Sequence, residues 1–156
     1  MELSALEKKR KEKALQYLRI FLMDNEQLNR LLRRKEIDDA RLELSLQLAI
    51  SDWNSTTPLI RRVSYGNFPS LYLLLHSAAI QCLKMSGLYQ SRNQLTYNSG
   101  GTSISRSDKT GLYQSWIQNF ASELEAKKLA YKMQVNVEAA YGGGFHSEYD
   151  LIGYDW

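Results

Sequence analysis

Cysteine occurs once, and proline and histidine twice each, in the 156 residues, and each scarcity removes a class of explanation. A single thiol, Cys82, cannot close an internal disulfide, and its apolar surroundings read as a small core residue rather than a nucleophile. Two histidines, His76 and His146, fall short of the three or four convergent ligands that a zinc site needs, so neither a metal nor a cofactor is expected. His146, Glu148 and Asp150 do alternate, but polar anchoring of the segment is the more economical role. No apolar run reaches the length of a membrane span, and the lysine-rich start lacks the apolar core and small-residue cleavage site of a secretory signal. Catalytic patterns are equally thin. Gly142-Gly143-Gly144 has no lysine after it and no strand-glycine-helix context, so it reads as a hinge and not a phosphate loop. There is no nucleophile elbow, and no carboxylate pair stands out beyond Asp38 and Asp39 at a helix start. An enzyme is not expected.

What is present is a chain long enough for one domain with one core, with 44% hydrophobic residues and a net charge of +3. The charge is unevenly placed. Lys8, Lys9, Arg10, Lys11 and Lys13 crowd the start, with Arg30, Arg33, Arg34 and Lys35 behind them, whereas residues 137–156 carry Glu138, Glu148, Asp150 and Asp155 and no lysine or arginine. Opposite ends of this kind suit contacts between copies as well as contact with nucleic acid. Because Glu2, Glu7 and Glu12 interrupt the basic run, a solvated helix face explains it equally well.

The periodicity predicts a mainly α fold, a bundle of about four to five helices with one inserted β-hairpin and an extended C-terminal arm. The first helix runs from Ser4 to about Leu22 on Leu15, Leu18 and Leu22, with a charged start that should fray. Asp24 and Asn25 are suited to cap a short second helix carrying Leu28, Leu31 and Leu32. The third runs from Asp38 or Asp39 to about Trp53. Its leucines alternate as in a strand, but one face of Leu42, Leu46, Ala49, Ile50 and Trp53 and a second of Ala40, Leu44 and Leu48 make it a helix packed on two sides. Asn54-Ser55-Thr56-Thr57-Pro58 is a stop signal. A strongly apolar helix opens near Pro69 and needs burial nearly all round, in its own core, by a neighbour, or both. Residues 94–105 read as the hairpin, with Leu95, Tyr97 and Ile104 flanking an Asn-Ser-Gly-Gly turn. A last helix, capped by Ser107 or Asp108, carries Leu112, Trp116, Phe120, Leu124 and Leu129 or Tyr131 to about Gln134.

The body is therefore 1–136, and 137–156 is the arm. Its three glycines exclude a regular helix there, yet Tyr141, Phe145, Tyr149, Leu151, Ile152, Tyr154 and Trp156 offer more apolar surface than a solvated terminus needs. Such a segment is expected to be ordered against another surface, with Tyr149, Tyr154 and Trp156 as anchors.

Several strings carry a resemblance to a known family. They are Asp24-Asn25-Glu26-Gln27-Leu28-Asn29-Arg30-Leu31-Leu32, Leu48-Ala49-Ile50-Ser51-Asp52-Trp53-Asn54-Ser55-Thr56-Thr57-Pro58, Phe68-Pro69-Ser70, and Ser91-Arg92-Asn93-Gln94-Leu95-Thr96-Tyr97. In this order, over roughly residues 15 to 150, the chain resembles the head-to-tail connector adaptor (neck) proteins of tailed bacteriophages. The resemblance implies a structural virion protein, assembled in the host cytoplasm, with about twelve copies in a homo-oligomeric ring. That ring would dock on the portal protein, meet a downstream tail or stopper protein, and continue the channel through which DNA passes without sequence-specific binding. The alternative is a small helical nucleic-acid-binding protein that uses Lys8, Lys9, Arg10, Lys11 and Lys13 on phosphates.

Overall fold

The computed structural model describes residues 4–29, 33–92, 96–99, 102–105 and 110–141. Four helices dominate them: α1 (Ala5–Phe21), α2 (Asp39–Ser55), α3 (Leu71–Arg92) and α4 (Thr110–Tyr141). Between α3 and α4, β1 (Thr96–Ser99) and β2 (Thr102–Ser105) pair antiparallel, with Tyr97 opposite Ile104. Leu95 and the caps considered at Ser107 and Asp108 lie outside the described residues.

Each helix begins or ends for a local reason. The charged start of α1, expected to fray, carries a capping box in which Ser4 Oγ accepts from the Glu7 amide and the Glu7 carboxylate accepts from the Ser4 amide. At its other end Met23 N–H donates to Ile20 O and Asp24 N–H to Arg19 O, with Met23 in the left-handed region at φ 55°. This Schellman ending closes α1 and aims Asp24 at the loop that follows.

The short second helix does not form over its described part, where residues 26–28 are turn; 30–32 lie outside the described residues. Asp24 has a different task from capping. It is buried, and its carboxylate accepts from Arg19 Nη1 (2.6 Å), Asn29 Nδ2 (2.9 Å), Glu36 N (2.7 Å) and Ile37 N (3.1 Å). One side chain thus satisfies the amides on the far side of the loop and ties them to α1. Asp38 then caps α2 by accepting from Arg41 N.

Helix α3 is the hub, packed against α1, α2 and α4. Leu73, Leu74, Ala78, Ala79, Ile80 and Cys82 on it are buried with Leu18 of α1, Leu42, Leu46, Ala49 and Trp53 of α2, and Leu124 of α4. Most of its apolar circumference is therefore covered by its own chain, and only Leu88 and Tyr89 near its end stay well exposed. The connection after α2 is closed by Asn54, whose side-chain amide both donates to and accepts from the Val63 backbone, and by Phe68, which packs on Trp53 at 5.1 Å between ring centres.

Two expectations need correction. Only one face of α2 is buried: Leu42, Leu46, Ala49 and Trp53 face the core, while Ala40, Leu44 and Leu48 are exposed. Helix α4 extends past Gln134 to Tyr141, so Val137–Tyr141 belong to a helix and not to an extended arm. The sequence Val-Glu-Ala-Ala-Tyr holds no helix breaker before Gly142, and nothing stops propagation until the glycines.

Candidate interaction surfaces

The five basic residues singled out on α1 are not equivalent once the helix is packed. Arg10 Nη1 donates to Gly66 O, and Lys11 Nζ pairs with the Glu43 carboxylate of α2. Beside Arg10, Glu7 accepts from Ser64 Oγ at 2.7 Å, and this bond, with those from Ser4, holds its carboxyl below the usual carboxylate range. Arg10 and Glu7 thus fasten the loop at 64–66 to α1, and Lys11 fastens α2. Lys13 lies over the Tyr17 ring at 5.8 Å. Lys8 and Lys9 are exposed. The run therefore splits into internal fasteners and a smaller solvent-facing remainder.

Helix α4 has the most telling surface. Its core side is built from Ile117, Phe120, Ala121, Leu124 and Tyr131, with two lysines that the sequence reading did not single out, Lys128 and Lys132. Lys128 is 3% exposed and Lys132 1%. Lys128 Nζ donates to Asp52 Oδ2 (2.6 Å) and Thr56 Oγ1 (2.8 Å); Lys132 Nζ donates to the carbonyls of Trp53 (2.6 Å) and Thr56 and sits over the Trp53 ring at 5.2 Å. These are the last-turn groups of α2, which has no basic residue of its own there. The two ammonium groups supply the positive charge that a helix C-terminus favours. Burial, and the neighbouring Lys128, push the Lys132 ammonium below the ordinary lysine range. The only signal in the sequence was their spacing of four, which put them on one face with Leu124.

Because lysines take these core positions, apolar residues are left outside. Leu112 and Trp116, expected inward, are exposed; of the alternatives Leu129 and Tyr131 it is Tyr131 that packs on the core, and Leu129, Met133, Val137 and Tyr141 recur every four residues along the outer side. They form a ridge of about 18 Å, the kind of contiguous apolar surface that marks a contact site. Tyr141, 76% exposed, is thus an interface candidate carried by a helix end. Phe145, Tyr149, Leu151, Ile152, Tyr154 and Trp156 lie outside the described residues, as do the side chains of Tyr97 and Ile104.

A cluster of aromatic and titratable groups joins α1, α3 and α4. The His76 ring stacks near Tyr72 (3.9 Å), Phe21 (4.9 Å) and Phe120 (5.5 Å). Its Nδ1 lies 3.0 Å from Tyr72 O, so Nδ1 carries the proton and donates it. Tyr72 OH donates to Glu123, and Lys127 Nζ donates to Tyr72 OH at 2.9 Å. Burial lowers the His76 pKa and outweighs the opposing bond to Tyr72 O and the charge of Glu123. Cys82 is buried, and burial pushes its thiol up, away from the thiolate a nucleophile needs. Among the described residues no group of three or more His, Cys, Asp or Glu side chains is placed to hold a metal, and no helix is long and apolar enough to cross a membrane. His146, Glu148 and Asp150 lie outside them. Compared with protein-family models, curated proteins and solved structures, the chain matches none.

Proposed function

We propose that this chain is a structural virion protein, an adaptor subunit that joins copies of itself into a ring beneath a portal, connects head to tail and continues the DNA channel. The observation that carries the reading is the outer ridge of α4, Leu129, Met133, Val137 and Tyr141, four apolar side chains exposed on a helix whose other side is already packed. A ridge of this length is suited to a neighbouring subunit or the portal. The hairpin inserted between α3 and α4 belongs to the same reading as a further docking element. Nucleic-acid binding through α1 has less support, since Arg10 and Lys11 are engaged within the fold.

The test is the full chain carrying Leu129→Glu, Met133→Glu and Val137→Glu, added to portal rings and followed by mass measurement. The expected outcome is a folded helical subunit that no longer joins the ring. If the triple variant enters rings as the parent does, the ridge is not the contact.

A further inference from the structure

Beside the end of α4 runs a second, more polar feature. The loop after α2 and the last turns of α4 enclose a groove of about 340 Å³, with an apolar wall of Ile60, Val63, Tyr131 and Val135 and a rim carrying Arg61 and Arg62. Both arginines are exposed, and no side-chain ion pair engages either among the described residues. The described chain stops at Tyr141, three residues beyond Glu138 on the same rim. Residues 142–156 begin with Gly142-Gly143-Gly144 and hold Glu148, Asp150 and Asp155, four aromatic side chains besides His146, and no lysine or arginine.

We propose that this groove receives the chain's own segment 145–156, turned back across the three glycines. Reach permits it: the twelve residues span up to about 40 Å extended, against about 15 Å along α4 from Tyr131 to Tyr141. Three glycines accept the backbone angles that a reversal needs. Charge favours it, since an acidic segment meets two uncommitted arginines. The apolar wall gives an aromatic side chain a place that water does not, and the volume admits about one or two such rings while the rest of the segment lies along the rim. Tethering also favours this occupant, because a linker of three residues keeps the segment at high effective concentration beside the groove. A lone subunit suffices, so the inference does not rest on the ring reading.

Hydrogen exchange on the full chain tests it at low and at tenfold higher protein concentration. The expected result is slowing of amides within 145–156 by about tenfold or more relative to an unstructured peptide, equal at both concentrations. Arg61→Glu with Arg62→Glu removes that protection, and adding Glu148→Lys, Asp150→Lys and Asp155→Lys restores it. Both arginines are exposed, so their reversal leaves the helices folded. Unprotected amides in the parent chain, or protection that survives the arginine reversal, overturns the proposal. Protection that grows with concentration assigns the groove to a second copy's segment and overturns it equally.

Discussion

The ammonium of Lys132 lies 2.6 Å from the main-chain oxygen of Trp53, 79 positions earlier in the sequence. Helices α2 and α4 both pack on α3, and their backbones do not approach each other closely among the described residues. The long lysine side chains, together with Tyr131 against Trp53 at 5.8 Å, span that gap. The end of α2 and the middle of α4 are thereby held as one piece, and the outer ridge of α4 is carried on a fixed support.

Replacing Lys132 by Met keeps the volume and removes the donors. It leaves the carbonyls of Trp53 and Thr56 facing a thioether, and a loss of about 2–4 kcal/mol is expected. Lys9→Met, at an exposed position, should change stability by no more than about 0.5 kcal/mol. Urea unfolding followed by circular dichroism measures both.

Asp24→Ala leaves the Glu36 and Ile37 amides without their acceptor, while the half-buried Arg19 keeps Asp39 and the Ile37 carbonyl, and a loss of about 2–3 kcal/mol is expected from the two unsatisfied loop amides. Asp24→Asn keeps acceptors for part of the set and should fall between the two. Thermal melting at neutral pH ranks the three proteins, and an alanine variant that melts with the parent would show that the loop finds other partners.

His76 sets a pH dependence. Its pKa is lowered on folding from an ordinary 6.5, so the unfolded chain binds the proton more readily. Stability is then full above about 6.5 and is lost as pH falls through the lowered folded value. Protonation would place a second cation near Lys127 on α4, beside Glu123 and between the Tyr72, Phe21 and Phe120 rings. The urea midpoint should fall between about pH 7 and about pH 5, and His76→Gln should flatten that slope whatever its effect on absolute stability.

Periodicity made much of the bundle legible. Leu18, Leu42, Leu46, Ala49 and Trp53 are buried where the helical spacing put them, and the stop at Asn54–Pro58 falls where α2 ends. Reading failed where a residue type has two uses. Asp24 looks like a helix cap because a short carboxylate accepts from free amides, and it does accept them, but from Glu36 and Ile37 across a loop. Lys128 and Lys132 look like solvent-facing residues, and no hydropathy pattern reveals that α2 ends beside them. With lysines on the inner face of α4, Leu129 lies outward, and the ridge with Met133 and Val137 is visible only in three dimensions. Val137 and Tyr141 lie beside the glycines that suggest an arm, yet no breaker separates them from α4, and the helix continues through Tyr141.

The clasp made by Asp24 bears on how this chain can change over generations. All of its donors, Arg19, Asn29, Glu36 and Ile37, lie at the base of the connection between α1 and α2. The crossing of those helices is decided there. A lineage that loses the carboxylate at position 24 has to replace one acceptor for four donors at once, whereas one that keeps it can exchange the exposed residues around it while the two helices stay tied.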